Sequence, residues 1–101
     1  MAMTVTEKII AVHAGRKAVK PGELVNVKVD VVLANDITAP GAILEFKKIG
    51  VDKVFDPQKV VIIPDHFTPN KDIASAEQAK FVRQFAKEQN LVNYFEVGRM
   101  G

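Results

Sequence analysis

Residues 60–66 read Val60-Val61-Ile62-Ile63-Pro64-Asp65-His66. Four consecutive β-branched residues present no polar face, which suits a strand covered on both sides, as in a parallel sheet. Pro64 lacks the N–H that a ladder requires, so the strand ends there. A carboxylate and an imidazole follow at once. In parallel α/β sheets this is where ligands gather, at the carboxyl ends of the strands.

The flanking segments alternate in type. Upstream, Val25, Val27, Val29, Val31 and Leu33 fall on alternate positions, with Asn26, Lys28 and Asp30 between them. That period predicts a strand, half-exposed at first and buried on both faces from Val32 onward. A turn at Lys20-Pro21-Gly22 precedes it, and Asn35-Asp36-Ile37-Thr38 closes it. A helix follows, with Pro40 in its first turn, Thr38 or Asp36 as cap, and Ile43, Leu44, Phe46 and Ile49 on its buried side, before Gly50. Near the N-terminus, Thr4 and Glu7 have the spacing of a capping box, and Val5, Ile9 and Val12 recur at helical spacing up to Gly15. Downstream of His66, Ser75 and Gln78 predict a second capping box for a helix reaching about Gln89, with Ala79, Val82, Phe85 and Ala86 inward. Tyr94-Phe95-Glu96-Val97 reads as a last strand. The order is helix, strand, helix, strand, helix, strand. It predicts an α/β domain, residues 1–101, with a mostly parallel sheet in αβα layers.

Composition sets limits on function. The chain has 101 residues, 48% hydrophobic and 26% charged, which fits a globular domain. Lys plus Arg number 14 against 12 Asp plus Glu, a net charge of +2. This small excess, without interleaved aromatics, argues against a nucleic-acid surface. There is no cysteine, so disulfides, thiolate metal ligands and thiol nucleophiles are excluded within this chain. No apolar run nears the ~20 residues of a membrane span. The start MAMTVTEKII lacks the apolar core of a secretory signal. The expected location is cytoplasmic.

Asp65 and His66 are the leading candidates for catalysis. A carboxylate beside an imidazole favours the ring's charged form, which can donate a proton to a leaving hydroxyl. On spacing alone the plainer account is a surface turn with Asp65 capping local N–H groups, because no third partner is identified. Asn35 and Asp36 could hydrogen-bond a carboxylate ligand and hold a neighbouring His or Arg. From local sequence, a helix cap is the favoured account of Asp36. His13 sits in a last helical turn, where it complements the helix dipole. Gly98-Arg99-Met100-Gly101 could cradle an anion or form an ordinary exit loop. Two histidines are too few for a metal site without outside ligands. No phosphate-loop, dinucleotide or nucleophile-elbow motif is present.

The phrases TEKIIAVHAG, VKPGELVNVKVDVVLANDITAP, GVDKVFDPQKVVIIPDHFTPNKD, SAEQAKFVRQFAKEQ and YFEVGRMG, in this order, carry a family signature. NDITAP, PDHFTPNKD and EVGRMG are its most specific parts. The chain resembles the N-terminal portion of the large subunits of the 3-isopropylmalate dehydratase and homoaconitase family, in the aconitase superfamily. Dimethylmalate dehydratase large subunits are closely similar. The resemblance implies an iron–sulfur hydro-lyase that isomerises hydroxy di- or tricarboxylic acids by dehydration and rehydration, as in leucine biosynthesis. It implies a [4Fe–4S] cluster acting as Lewis acid, ligated by none of this chain's residues, and a small swivelling subunit as partner. It matches Asp65 and His66 to the acid–imidazole pair near the substrate hydroxyl, and Asn35 to a substrate-carboxylate contact. On this basis a functional Asp65-His66 is preferred to a surface turn.

The same resemblance implies that the family's cluster cysteines, a further active-site histidine and the arginine clamps lie outside this sequence. The chain is therefore expected to be a fragment that is inactive alone, with a strand edge and apolar helix surface uncovered, which favours self-association or partial disorder. The competing expectation is a standalone α/β ligand-binding or interaction module without cluster chemistry.

Overall fold

The computed structural model describes residues 2–99. The backbone forms two compact units, divided between Asp30 and Val31.

The first unit holds helix α1, Val5–His13. The expected capping box is present. Thr4 Oγ1 accepts from the Glu7 N–H at 3.2 Å, and Glu7 Oε2 accepts from the Thr4 N–H at 3.0 Å. The helix closes as a Schellman motif, with the Arg16 N–H on Ala11 O and the Gly15 N–H on Val12 O. Gly15 makes the closure at φ +67, a conformation that costs a residue without a Cβ little. Only Ala11 of this helix is buried. The apolar residues at helical spacing are open: Val5, Ile9 and Val12 are 73%, 55% and 76% exposed. The turn at Pro21-Gly22 forms as expected.

The predicted strand beginning at Val25 is corrected. Residues 25–30 adopt no strand; the Lys28 N–H donates to His13 O at 3.0 Å, and Asp30 meets the His13 ring at 2.9 Å. Alternation supplies a pleated surface, but a strand exists only where a neighbour completes the ladder. That neighbour appears at strand β1, Val32–Asn35, in the second unit.

There β1 pairs in parallel with β2, Val60–Ile63, in the register Val32↔Val60, Leu33↔Val61, Ala34↔Ile62 and Asn35↔Ile63. Helix α2, Thr38–Lys48, makes the crossover. Helix α3, Ile73–Glu88, leads from β2 to Tyr94, which forms a single parallel bridge with Ile62. The last strand expected at Tyr94–Val97 is thus reduced to that bridge, flanked by the bonds Ile62 N–H to Asn93 O and Phe95 N–H to Ile62 O.

Alternation of helix and parallel strand bears out the α/β reading. Strand order and sequence order agree, so both crossovers of one hand fall on the same face. Accordingly α2 contributes Ala39 and Ile43, and α3 contributes Val82 and Phe85, to one core over Val60 and Ile62. Phe46 meets Phe85 edge to face at 5.7 Å. The other sheet face carries Leu33, 67% exposed, beside half-buried Val61 and Ile63. Burial of both faces of these strands, expected from their composition, is therefore not found. Leu44 and Ile49 of the α2 segment are likewise exposed rather than inward.

The helix caps also differ from expectation. Asp72, not Ser75, caps α3: its Oδ1 accepts the Ser75 N–H and the Ser75 hydroxyl, each at 2.7 Å. Ser75 is buried inside the first turn. A side chain that reaches the N3 N–H does so from whichever residue first turns extended, and Asp72 does so here. The C-terminus of α3 repeats the Schellman closure, with Asn90 at φ 55 and the Leu91 N–H on Ala86 O.

Candidate functional site

The loops that leave β1 and β2 lie side by side because the strands are parallel and adjacent. This brings Asn35-Asp36 and Asp65-His66 to one end of the sheet.

Asn35 is the last residue of β1, and its side chain starts α2. Its Oδ1 accepts the Ile37 N–H at 2.8 Å, the Thr38 N–H at 2.9 Å and the Thr38 hydroxyl at 3.2 Å. Three donors converge on one atom, which fixes that atom as the carbonyl oxygen. The amide nitrogen is left as a donor at the strand's end. The expected cap by Thr38 or Asp36 is therefore corrected: Ile37 occupies the cap position and Asn35 supplies the oxygen.

Asp36 points elsewhere. It is 2% exposed. Its Oδ1 accepts the His66 N–H at 3.1 Å and its Oδ2 accepts the Phe67 N–H at 2.7 Å. Asp65 and His66 close on each other through Oδ1 and Nδ1 at 2.7 Å, with both side chains half-exposed. Asp36 Oδ1 stands 3.8 Å from the same Nδ1. The loop is steadied further by the Thr68 hydroxyl donating to Pro64 O at 2.9 Å. Since Nδ1 faces a carboxylate, it carries the proton in the neutral ring, and Nε2 is the atom available to a ligand.

Asp36, Asp65 and His66 each offer a ligand atom within 4.8 Å of the others. Both Asp36 oxygens and the His66 Nδ1 are already engaged within the protein, so the arrangement works as an acid–imidazole group rather than an open metal cage.

Beside this corner lies a cavity of about 430 Å³ lined in part by Pro64, Thr68, Arg83, Tyr94 and Glu96. Arg83 Nε donates to Glu96 Oε2 at 2.8 Å, and the Tyr94 hydroxyl donates to the same oxygen at 2.8 Å. Burial, with the Glu96 carboxylate next, pushes the Tyr94 hydroxyl up to about 12. For Glu96, burial acts upward, but the bonds from Arg83 and Tyr94 prevail and hold it below its ordinary value. Tyr94 and Glu96 stand two residues apart in the segment expected as the last strand, but sequence reading missed the trio because Arg83 reaches them from α3. Arg99 stacks over Phe95 at 5.4 Å. Met100 and Gly101 of the suggested anion loop lie outside the described residues. His13 is an ion-pair residue in the first unit: Nε2 meets Asp30 Oδ2 at 2.9 Å and Nδ1 donates to Ile9 O at 2.8 Å. Asp30 foremost, then the Ile9 carbonyl, raises its pKa.

Fold and site together describe a parallel α/β unit that presents an acid–imidazole pair and an oriented amide at the carboxyl end of its strands. No known family profile matches the chain. It is 70% identical over 101 residues to the 3-isopropylmalate dehydratase large subunit of Moorella thermoacetica, of which it covers 24%. The corresponding subunits of Clostridium kluyveri and Acetivibrio thermocellus are 65% and 63% identical over the whole chain, again with 24% of each covered. The chain spans about a quarter of the length of these curated relatives. It is thus closely similar, along its full extent, to the N-terminal part of 3-isopropylmalate dehydratase large subunits, as its motifs implied.

Proposed function

We propose that this chain forms the Asp65-His66 corner of the active site of a dehydratase of the 3-isopropylmalate type, a hydro-lyase of leucine biosynthesis working with a small subunit. The observation that carries the proposal is the 2.7 Å Asp65–His66 pair at the carboxyl end of β2, beside Asn35 at the end of β1. The high identity to dehydratase large subunits supports it.

In this reading His66 Nε2 gives a proton to the departing hydroxyl of a hydroxy acid and takes one back on rehydration. Asp65 holds the ring through Nδ1 during that exchange. The amide nitrogen of Asn35 donates to a substrate carboxylate. A hydroxy di- or tricarboxylate suits this pairing of a proton-handling group with a carboxylate donor. The family's [4Fe–4S] cluster, when bound, supplies Lewis acidity. This chain has no thiolate, and its site offers only carboxylate, amide and imidazole donors, so its residues do not fit as cluster ligands.

The test is a chimera in which this sequence replaces the matching segment of the Moorella thermoacetica large subunit within its enzyme. His66→Ala should cut turnover at least a hundredfold, the low end of general acid–base contributions of roughly 10²–10⁴. Asn35→Ala should act mainly on substrate affinity. Turnover within twofold of the parent chimera in His66→Ala would refute the reading. The 101-residue chain itself is expected to be inactive and to self-associate through surface such as Leu33 and the side of β1 away from β2. Light scattering that shows a monomer at all concentrations would refute the latter.

A further inference from the structure

Asp36 is the most enclosed ionisable group at the rim, and the function proposed above gives it no task. Its carboxylate is buried at 2% exposure, yet no Lys or Arg among the described residues pairs with it. A charge so placed is costly unless its lone pairs are filled. They are filled by the loop that follows β2. The His66 N–H meets Oδ1 at 3.1 Å and the Phe67 N–H meets Oδ2 at 2.7 Å. Partner and acceptor are 30 and 31 residues apart in sequence, so this is a tie between loops rather than a local turn. The neighbouring Asn35 has taken over the capping of α2, which frees Asp36 for this second duty.

We propose that Asp36 is the positioning residue of the site. It seats the 65–67 backbone and thereby aims the His66 ring, with Nδ1 turned toward the Asp36 and Asp65 carboxylates and Nε2 outward. Two carboxylate oxygens lie on the Nδ1 side, at 2.7 and 3.8 Å. Asp65 is half-exposed and belongs to the same loop as the ring it meets. The buried Asp36 anchors that loop to β1, so the ring is held from the neighbouring strand. This inference deepens the proposed function and rests on it for its purpose, but its test requires no catalysis.

Nuclear magnetic resonance on the 101-residue chain reads both parts. There are two histidines, so the ring signals are assignable, and His13 is an internal control. In the parent chain the His66 and Phe67 amides should exchange at least ~10-fold slower than unstructured amides, as expected for bonds to a charged acceptor. The neutral His66 ring should show the Nδ1–H tautomer. Asp36→Asn keeps the shape but turns one acceptor into a donor. It should speed exchange of at least one of these amides about tenfold and mix the His66 tautomers, with His13 unchanged. Unaltered exchange and tautomer in a folded Asp36→Asn chain would overturn the proposal. So would Asp65→Asn abolishing the tautomer preference where Asp36→Asn leaves it intact. If Asp36→Asn does not fold, the parent still decides: unprotected His66 and Phe67 amides overturn it. Failure of the chimera's His66→Ala test with these signatures present would sink the enzymatic reading alone.

Discussion

Helices α1 and α3 start from the same local chemistry and end in different circumstances. Each has a side-chain N-cap and a Schellman closure. Yet α3 buries Ser75, Val82, Phe85 and Ala86, whereas α1 buries Ala11 alone. Caps and turn residues fix where a helix begins and stops. Whether its apolar stripe stabilises anything depends on a facing surface, which α3 finds in α2 and the sheet. The helix α1 is held by its ends, by the bond between Lys28 and His13, and by the His13–Asp30 pair.

This contrast orders the expected effects. Phe85→Ala, which empties the core between α2 and β2, should cost about 3–5 kcal/mol in urea unfolding. Loss under 1 kcal/mol would mean that this core is not what holds the second unit. Thr4→Ala removes the α1 cap and should weaken that helix by about 1 kcal/mol, read as faster amide exchange in Val5–His13. Ile9→Ala, on the exposed stripe, should change stability by no more than ~0.5 kcal/mol. A larger loss for Ile9→Ala than for Thr4→Ala would reverse the comparison.

The smallest effect is a pH dependence. His13 has its pKa raised by Asp30 and by the Ile9 carbonyl. The protonated ring therefore favours the folded arrangement. Its contribution is fully present below the unfolded value of about 6.5 and fades as pH rises through the folded midpoint. Asp30→Asn should bring the His13 titration, followed by its ring resonances, back toward the ordinary value. A midpoint that does not move would remove the ion pair from the account.

Much of the fold was legible. β-Branched residues 60–63 located β2, the Thr4/Glu7 spacing located α1, and alternation of types located the parallel order. The misreadings share one cause. Val25–Val31 has strand periodicity but lacks a ladder partner, and Ser75 has capping chemistry but stands one turn inside a helix already capped by Asp72. Local pattern cannot report on neighbours that come from elsewhere. The site shows the same division. Asp65, His66, Asn35 and Asp36 were visible as polar residues after apolar runs. The inward turn of Asp36, and the reach of Arg83 from α3 to Glu96, depend on pairing across elements, which no spacing along the chain encodes.

The central claim is that the imidazole of His66 handles the proton at the end of β2, held there by two carboxylates. The most direct measurement is turnover of the His66→Ala chimera against its parent, with iron–sulfur absorbance recorded in both. The account predicts a loss of at least a hundredfold, in line with roughly 10²–10⁴ for acid–base catalysis, and unchanged absorbance. Turnover within twofold of the parent would contradict it.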